Sequence, residues 1–330
     1  MILRALDWLA RRGAWVIAGG LFVGLALPDL ARLCKPVIGP VVFVLLVTTM
    51  LRVDWPRTLG YARRPVVAVL VLAWLLLAAP LLVWGTTQLL ALPESLARAL
   101  VLTASSPVLT AVPTFALMLG LDAALALIAM VATSLLQPFL QPPLALLLLG
   151  IELDISVVQL MTRLGVFIAG GFAVSLAILW SAGRERIARA DRPIGGIAVL
   201  MLIVFGIGAV DGLTETLLQR PGYALLFALS ALAANFALQL ASGLVFLGLA
   251  RAGLVTRAQA LTAALAAGNR NLAILVAVLG SSAEPDLYLF LAVNQFPMYF
   301  VPVLLGPLYR RLLPGPGSRL GPNCGGDSKN

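Results

Sequence analysis

The sequence predicts an all-α polytopic membrane protein of ten transmembrane helices, on three observations. The first is composition: 61% of the 330 residues are hydrophobic and only 11% charged, against about 25% charged in soluble globular proteins. The second is a string of apolar segments of bilayer-spanning length, for which about 20 residues suffice. The third is the distribution of lysine and arginine between the loops, which assigns the loops alternately to two sides.

The segments run, in order, over 13–30, 36–52, 65–92, 96–120, 122–149, 157–180, 194–217, 222–250, 256–280 and 286–312. Arg4, Arg11 and Arg12 precede the first, and no A-x-A-like site follows it, so it reads as a retained span and not a cleaved signal peptide. Gln88 sits near the end of the third, at the interface. In the fourth, Pro107 and Pro113 each remove a backbone donor six residues apart, so an unbroken helix is not expected there. Only the Gly120-Leu121-Asp122 turn separates the fourth from the fifth. The ninth carries Gly268-Asn269-Arg270-Asn271 in the middle of an apolar run, and a second interruption is expected. Residues 314–330, rich in Gly, Pro and polar side chains, read as a disordered tail.

Seventeen of the 23 basic residues fall on the side that holds both termini and five on the other, Arg270 being the remaining one. Positive charge marks the cytoplasmic side, so both termini are expected there and the span number is even. The multi-pass topology with this asymmetry suits a bacterial inner membrane. Five spans per half is an odd number, so the second half would sit inverted relative to the first. The halves are then 1–155 and 156–313, followed by the cytoplasmic tail 314–330. Weak internal symmetry agrees: Pro107 and Gly268 are 161 residues apart, Pro138 and Pro297 159, Gln137 and Gln295 158.

Composition also excludes function classes. Without a single histidine, the commonest general base and metal ligand is missing. Cys34 and Cys324 lie near opposite ends of the chain, which argues against a disulfide or a thiolate metal site. No Asp or Glu falls well inside a span, so an enzyme with two carboxylates at depth is not expected. The net charge of +9 is spread singly or in pairs between spans, a topology signal and not a nucleic-acid patch.

Paired interruptions at matching positions of two halves point to a midplane binding site, and broken helices are tolerated at depth only where they face a cavity or other protein. Ser105 and Ser106 flank the first break; Gly268, Asn269, Arg270 and Asn271 form the second. Thr133, Ser134 and Gln137 lie on the fifth span, Asn235 and Gln239 four apart on the eighth, Asn294 and Gln295 on the tenth. Each reads either as a site residue or as an interhelical hydrogen bond. Arg270 costs about 2.5–3.5 kcal/mol at the bilayer centre and has three readings. It binds an anionic substrate group, which its planar fork suits; it fills a cavity that a metal cation would occupy; or it reaches up to the interface or to the carbonyl ends of a half-helix.

These features together resemble the bile acid:sodium symporter superfamily, which also contains arsenite exporters of similar topology, over roughly residues 13–313. The family's ninth-span motif, approximately Glu-x-Gly-x-Gln-Asn, is met here by Ala266-Ala267-Gly268-Asn269-Arg270-Asn271, with matches at Gly268 and Asn271. Its fourth-span motif, approximately Pro-Gly-Gly-x-x-Ser-Asn, is met by Pro107-Val108-Leu109-Thr110-Ala111-Val112-Pro113, which keeps the first proline. The resemblance implies that the broken fourth and ninth helices cross, and that a core of the third, fourth, fifth, eighth, ninth and tenth spans moves against a panel of the others.

The departures shape the expectation. Ala266, Arg270, Val112 and Pro113 stand where sodium-coupled relatives carry glutamate, glutamine, serine and asparagine ligands. Thr133 and Ser134 still match hydroxyl-bearing, ion-binding positions on the fifth span, so sodium is the one ion to consider, and its coupling is expected to be weakened or lost. No other cofactor is expected. Arsenite exporters carry a functional cysteine on the fourth span, and none lies between Cys34 and Cys324 here. The expectation is a secondary transporter of a small organic anion, not an enzyme, with the lipid bilayer as its environment. Arg270, Asn269, Asn271, Gly268, Ser105, Ser106, Asn235, Gln239 and Gln295 are the candidate substrate site. A membrane-embedded ligand sensor and a proton- or ion-coupled exporter of the same fold are the alternatives.

Overall fold

A computed structural model describes residues 19–53, 65–150 and 156–313, and the described residues are helical apart from short turns and two interruptions. The N-terminal arginines, the loop 54–64, residues 151–155 and the tail 314–330 lie outside the described residues. After helical residues 19–26 come α1 (Pro28–Cys34), a 3-10 turn, α2 (Ile38–Leu51) and α3 (Pro65–Leu89). Next are α4 (Glu94–Ser105), α5 (Val112–Met118), α6 (Ala123–Leu149), α7 (Val157–Ala182), α8 (Arg184–Arg189) and α9 (Asp191–Ala209). The chain ends with α10 (Leu213–Gln219), α11 (Pro221–Arg251), α12 (Arg257–Gly268), α13 (Ala273–Leu279), α14 (Pro285–Leu304) and α15 (Gly306–Leu312). Among these, six helical runs are long and apolar enough to cross a membrane: Pro28–Leu51, Pro65–Leu89, Ala123–Leu149, Val157–Ala182, Asp191–Gln219 and Pro221–Arg251.

Helix ends follow local chemistry. Asp122 caps α6 by accepting from the Leu125 N–H, and Gly150 closes it in the left-handed conformation at φ 60°. Capping boxes start α7 (Ser156 with Gln159) and α12 (Thr256 with Gln259), satisfying N-terminal donors that no helix can pair internally.

Polarity is distributed as a bilayer requires. Phe139, Leu147, Val166 and Leu240 are exposed on the perimeter, whereas Ser105, Ser106, Thr133, Gln137, Asn235, Gln239, Asn269 and Arg270 are buried inside. Lipid-facing leucine costs nothing, and most interior polar groups find partners in protein, the distribution that a membrane-embedded helical bundle calls for. The protein is a multi-span membrane protein.

Polar contacts gather the helix ends into two sets. At one end Arg52 pairs with Asp191 at 2.7 Å, and Thr262 Oγ1 accepts from the Asp122 N–H at 3.0 Å. At the other, Lys35 pairs with Asp211 at 3.1 Å, Arg98 with Glu284 at 2.8 Å, and the Tyr223 hydroxyl donates to Asp286 at 2.6 Å. Helices α2 and α9 run antiparallel between these ends. Gly208 of α9 lets the C-terminal end of α1 approach closely, since a Cβ there would lie 2.9 Å from the Cys34 carbonyl oxygen.

Candidate functional site

The two interruptions meet each other. Helix α4 stops at Ser105, with Ser106 in extended conformation, and α5 restarts at Val112 with Pro113 in its first turn, where the missing N–H costs no helical bond. Helix α12 stops at Gly268, with Asn269 extended, and α13 begins at Ala273. The freed backbones pair antiparallel: the Leu109 N–H donates to the Asn269 carbonyl at 2.9 Å and the Asn271 N–H to the Pro107 carbonyl at 2.8 Å, with Val108 opposite Arg270. Each broken helix thus supplies the partners that the other has lost. This satisfies backbone groups that would otherwise be orphaned in hydrocarbon.

The flanking polar side chains brace this crossing. Thr133 Oγ1 accepts the Val108 N–H at 3.0 Å while donating to the Ala129 carbonyl at 2.6 Å. Asn235 donates to the Gly268 carbonyl at 2.6 Å, Gln239 to Asn235 at 2.6 Å, and the Tyr309 hydroxyl to Gln239 at 2.7 Å, a chain of bonds reaching the break from α15. Gln141 donates to Ser106 Oγ and to the Leu102 carbonyl, both at 3.0 Å, and accepts from Gln137 at 2.6 Å. Ser105, Ser106 and Ser134 bond back to carbonyls in their own helices. Replacing Thr133 by Val leaves the buried Val108 N–H without an acceptor. A loss of about 1–3 kcal/mol is expected, the cost of an unsatisfied buried donor, measurable as a lowered unfolding midpoint in nanodiscs, whereas Thr133→Ser should keep most of it.

Arg270 is 1% exposed. Its Nε donates to the Ala267 carbonyl at 3.1 Å, Nη1 to the Ser106 carbonyl at 3.1 Å and Nη2 to the Leu75 carbonyl at 2.5 Å. With Asn235, Gly268 and Asn294 it borders a cavity of about 20 Å³, room for about one water molecule. Asn269 donates to the Leu265 carbonyl, but its buried Oδ1 has no partner, nor has Gln137 Oε1.

A separate crevice of about 80 Å³ lies beside the crossing. Its walls come from α2 (Val42, Leu45, Leu46), α9 (Leu202, Phe205) and α14 (Leu291, Met298), and its polar groups are Thr110, Asn271 and Gln295. Of the candidate residues read from the sequence, Asn271 and Gln295 line this crevice. Gly268, Arg270 and Asn235 line the smaller cavity, Gln239 packs against Gly268, and Asn269, Ser105 and Ser106 are buried around the breaks. Sequence reasoning did not single out Thr110, Gln141 or Tyr309. Gln141, one turn beyond Gln137, was recognisable as a second amide on the same face of the helix. A scan against protein-family models and a search of curated proteins found no match to the chain.

Proposed function

We propose that the protein is a secondary active transporter that carries a small organic anion through the crevice by alternating access. The observation that carries this reading is the pairing of two interrupted helices at the bundle interior, directly against a crevice with apolar walls and a few neutral donors. Irregular backbone at membrane depth is stable only where it lines a cavity or is buried in protein, and substrate sites in transporters are typically built there. In this reading the apolar walls receive the substrate's body, and Thr110, Asn271 and Gln295 donate to its anionic group.

The ten-span inverted repeat belongs to the same proposal. Helices α4 and α12 each have 12 residues, and α5 and α13 each have 7, so the two breaks fall at equivalent depths. The two sets of contacts lie near span ends that ten alternating crossings would bring to the same side, which supports this count. Helices α3, α4, α6, α11, α12 and α14 would form the core that moves against 19–26, α2, α7 and α9. The same proposal has both termini in the cytoplasm, a reading that the basic asymmetry supports, and the protein in a bacterial inner membrane. In this reading Arg270 faces away from the crevice and the substrate is received by neutral groups.

The test is uptake of radiolabelled monocarboxylates and sulfonates into proteoliposomes, for the native protein and for Gln295→Leu and Asn271→Leu. At least one anion is expected to accumulate above empty liposomes, with a drop of tenfold or more in either variant while its unfolding midpoint stays near native. Absence of uptake across the panel, or full activity in both variants, would overturn the proposal.

A further inference from the structure

The three oxygens that receive Arg270 share one property: each lacks the donor that a regular helix would supply. Leu75 lies in a π-helical turn, Trp74–Ala78, of α3, where the Ala79 N–H goes to the Trp74 carbonyl. In π geometry the Leu75 carbonyl would be met from position i+5, which is Pro80, and proline has no N–H. Ser106 terminates α4 in extended conformation, so no following turn reaches its carbonyl. Ala267 would be met by the Asn271 N–H, but that donor is committed to Pro107 across the crossing. Three unrelated irregularities, a π-turn followed by a proline and two broken helices, thus aim neutral oxygens at one guanidinium.

A buried cluster of converging carbonyl oxygens is the donor set of a monovalent cation site. Here the positive charge comes from the chain itself. Arg270 makes no ion pair among the described residues, so the carbonyl dipoles, including two half-helix C-termini, are what offsets its charge. Its planar fork reaches three separate segments at once, which a point charge on a flexible stem would not do.

We infer that Arg270 is a tethered cation: its guanidinium permanently fills a three-carbonyl cation site that holds α3, α4 and α12 together, so the assembled crossing requires no free metal cation. The inference goes beyond the transport reading and does not depend on it. It is tested by binding and stability, so failure of uptake and failure of this site are distinguishable.

The experiment uses the full chain in phosphatidylethanolamine–phosphatidylglycerol nanodiscs, with thermal unfolding followed by tryptophan fluorescence. The native protein should unfold at the same midpoint in sodium, potassium, lithium or N-methylglucamine chloride at equal ionic strength. Arg270→Ala should unfold at a lower midpoint that ethylguanidinium raises by a constant increment per tenfold concentration beyond its Kd, while the neutral isostere ethylurea does not. A saturable rise of the native midpoint with sodium would overturn the inference. So would a folded Arg270→Ala variant that ethylguanidinium shifts no more than ethylurea. Should the variant be unstable, its yield of monodisperse protein purified with each additive reads the same question: recovery with ethylguanidinium alone supports the site, and equal yields overturn it.

Discussion

Gly268→Ala is expected to destabilise the protein by about 1–3 kcal/mol, the range for overpacking a tight interior, and to lower the unfolding midpoint clearly in nanodiscs. A Cβ at this position would lie 2.5 Å from Gln239 Cγ and 2.7 Å from the Asn235 backbone oxygen. The second contact decides the sign, because a helix backbone does not swing aside as a side-chain tip does. Relief requires α12 to move away from α11, and that motion stretches the bond from Asn235 to the Gly268 carbonyl, 2.6 Å in the native chain. Gly243 provides the control on α11. A Cβ there would meet only the Ala264 Cβ at 3.7 Å, ordinary van der Waals contact, so Gly243→Ala should be nearly neutral and gain slightly from helix propensity. Equal effects of the two substitutions would mean that close approach at the break is not what Gly268 provides.

The contrast between these glycines marks what the sequence could and could not disclose. The interruptions were legible because Pro107, Pro113 and the Gly268–Asn271 cluster violate local helix chemistry. That the two breaks bond to one another was not readable from that chemistry, since antiparallel pairing of residues 107–109 with 269–271 depends on how the helices cross. Arg270 was legible as an expense without an acidic partner, and reaching half-helix carbonyls was among its readings. The oxygen of Leu75 was not, because its availability arises from a π-turn 195 positions away in sequence. Pro80 was the signal that could have pointed there: a proline in the interior of a helix leaves a carbonyl about one turn upstream without its donor. The crevice walls were hidden for a different reason. Val42, Leu45, Leu202 and Phe205 look like any lipid-facing apolar residues until the packing of α2 and α9 turns them inward.

Arg270→Met is the substitution with the largest expected effect, and its sign depends on which of two opposed terms is larger. Removing the charge relieves an insertion cost of about 3 kcal/mol, which by itself would stabilise. Against this stand three hydrogen bonds from a charged donor, each worth about 1.5–3 kcal/mol in soluble proteins, although neutral bonds between membrane helices average only about 0.6 kcal/mol. The higher values apply here because all three carbonyls are buried and no other donor is aimed at them, so each is left orphaned. We expect a net loss of about 3 kcal/mol, read by steric trapping in bicelles, and a smaller one for Arg270→Lys, whose ammonium keeps the charge without the fork. The Leu75 share can be isolated by a double-mutant cycle with Pro80→Ala. That change restores an N–H at the position the π-turn aims at the Leu75 carbonyl, so Arg270→Met should cost about 1 kcal/mol less in the Pro80→Ala background, one hydrogen bond's worth. A cycle without coupling would show that Arg270 does not hold α3 through that oxygen, and a neutral or stabilising Arg270→Met would show that the three carbonyls do not offset the buried charge.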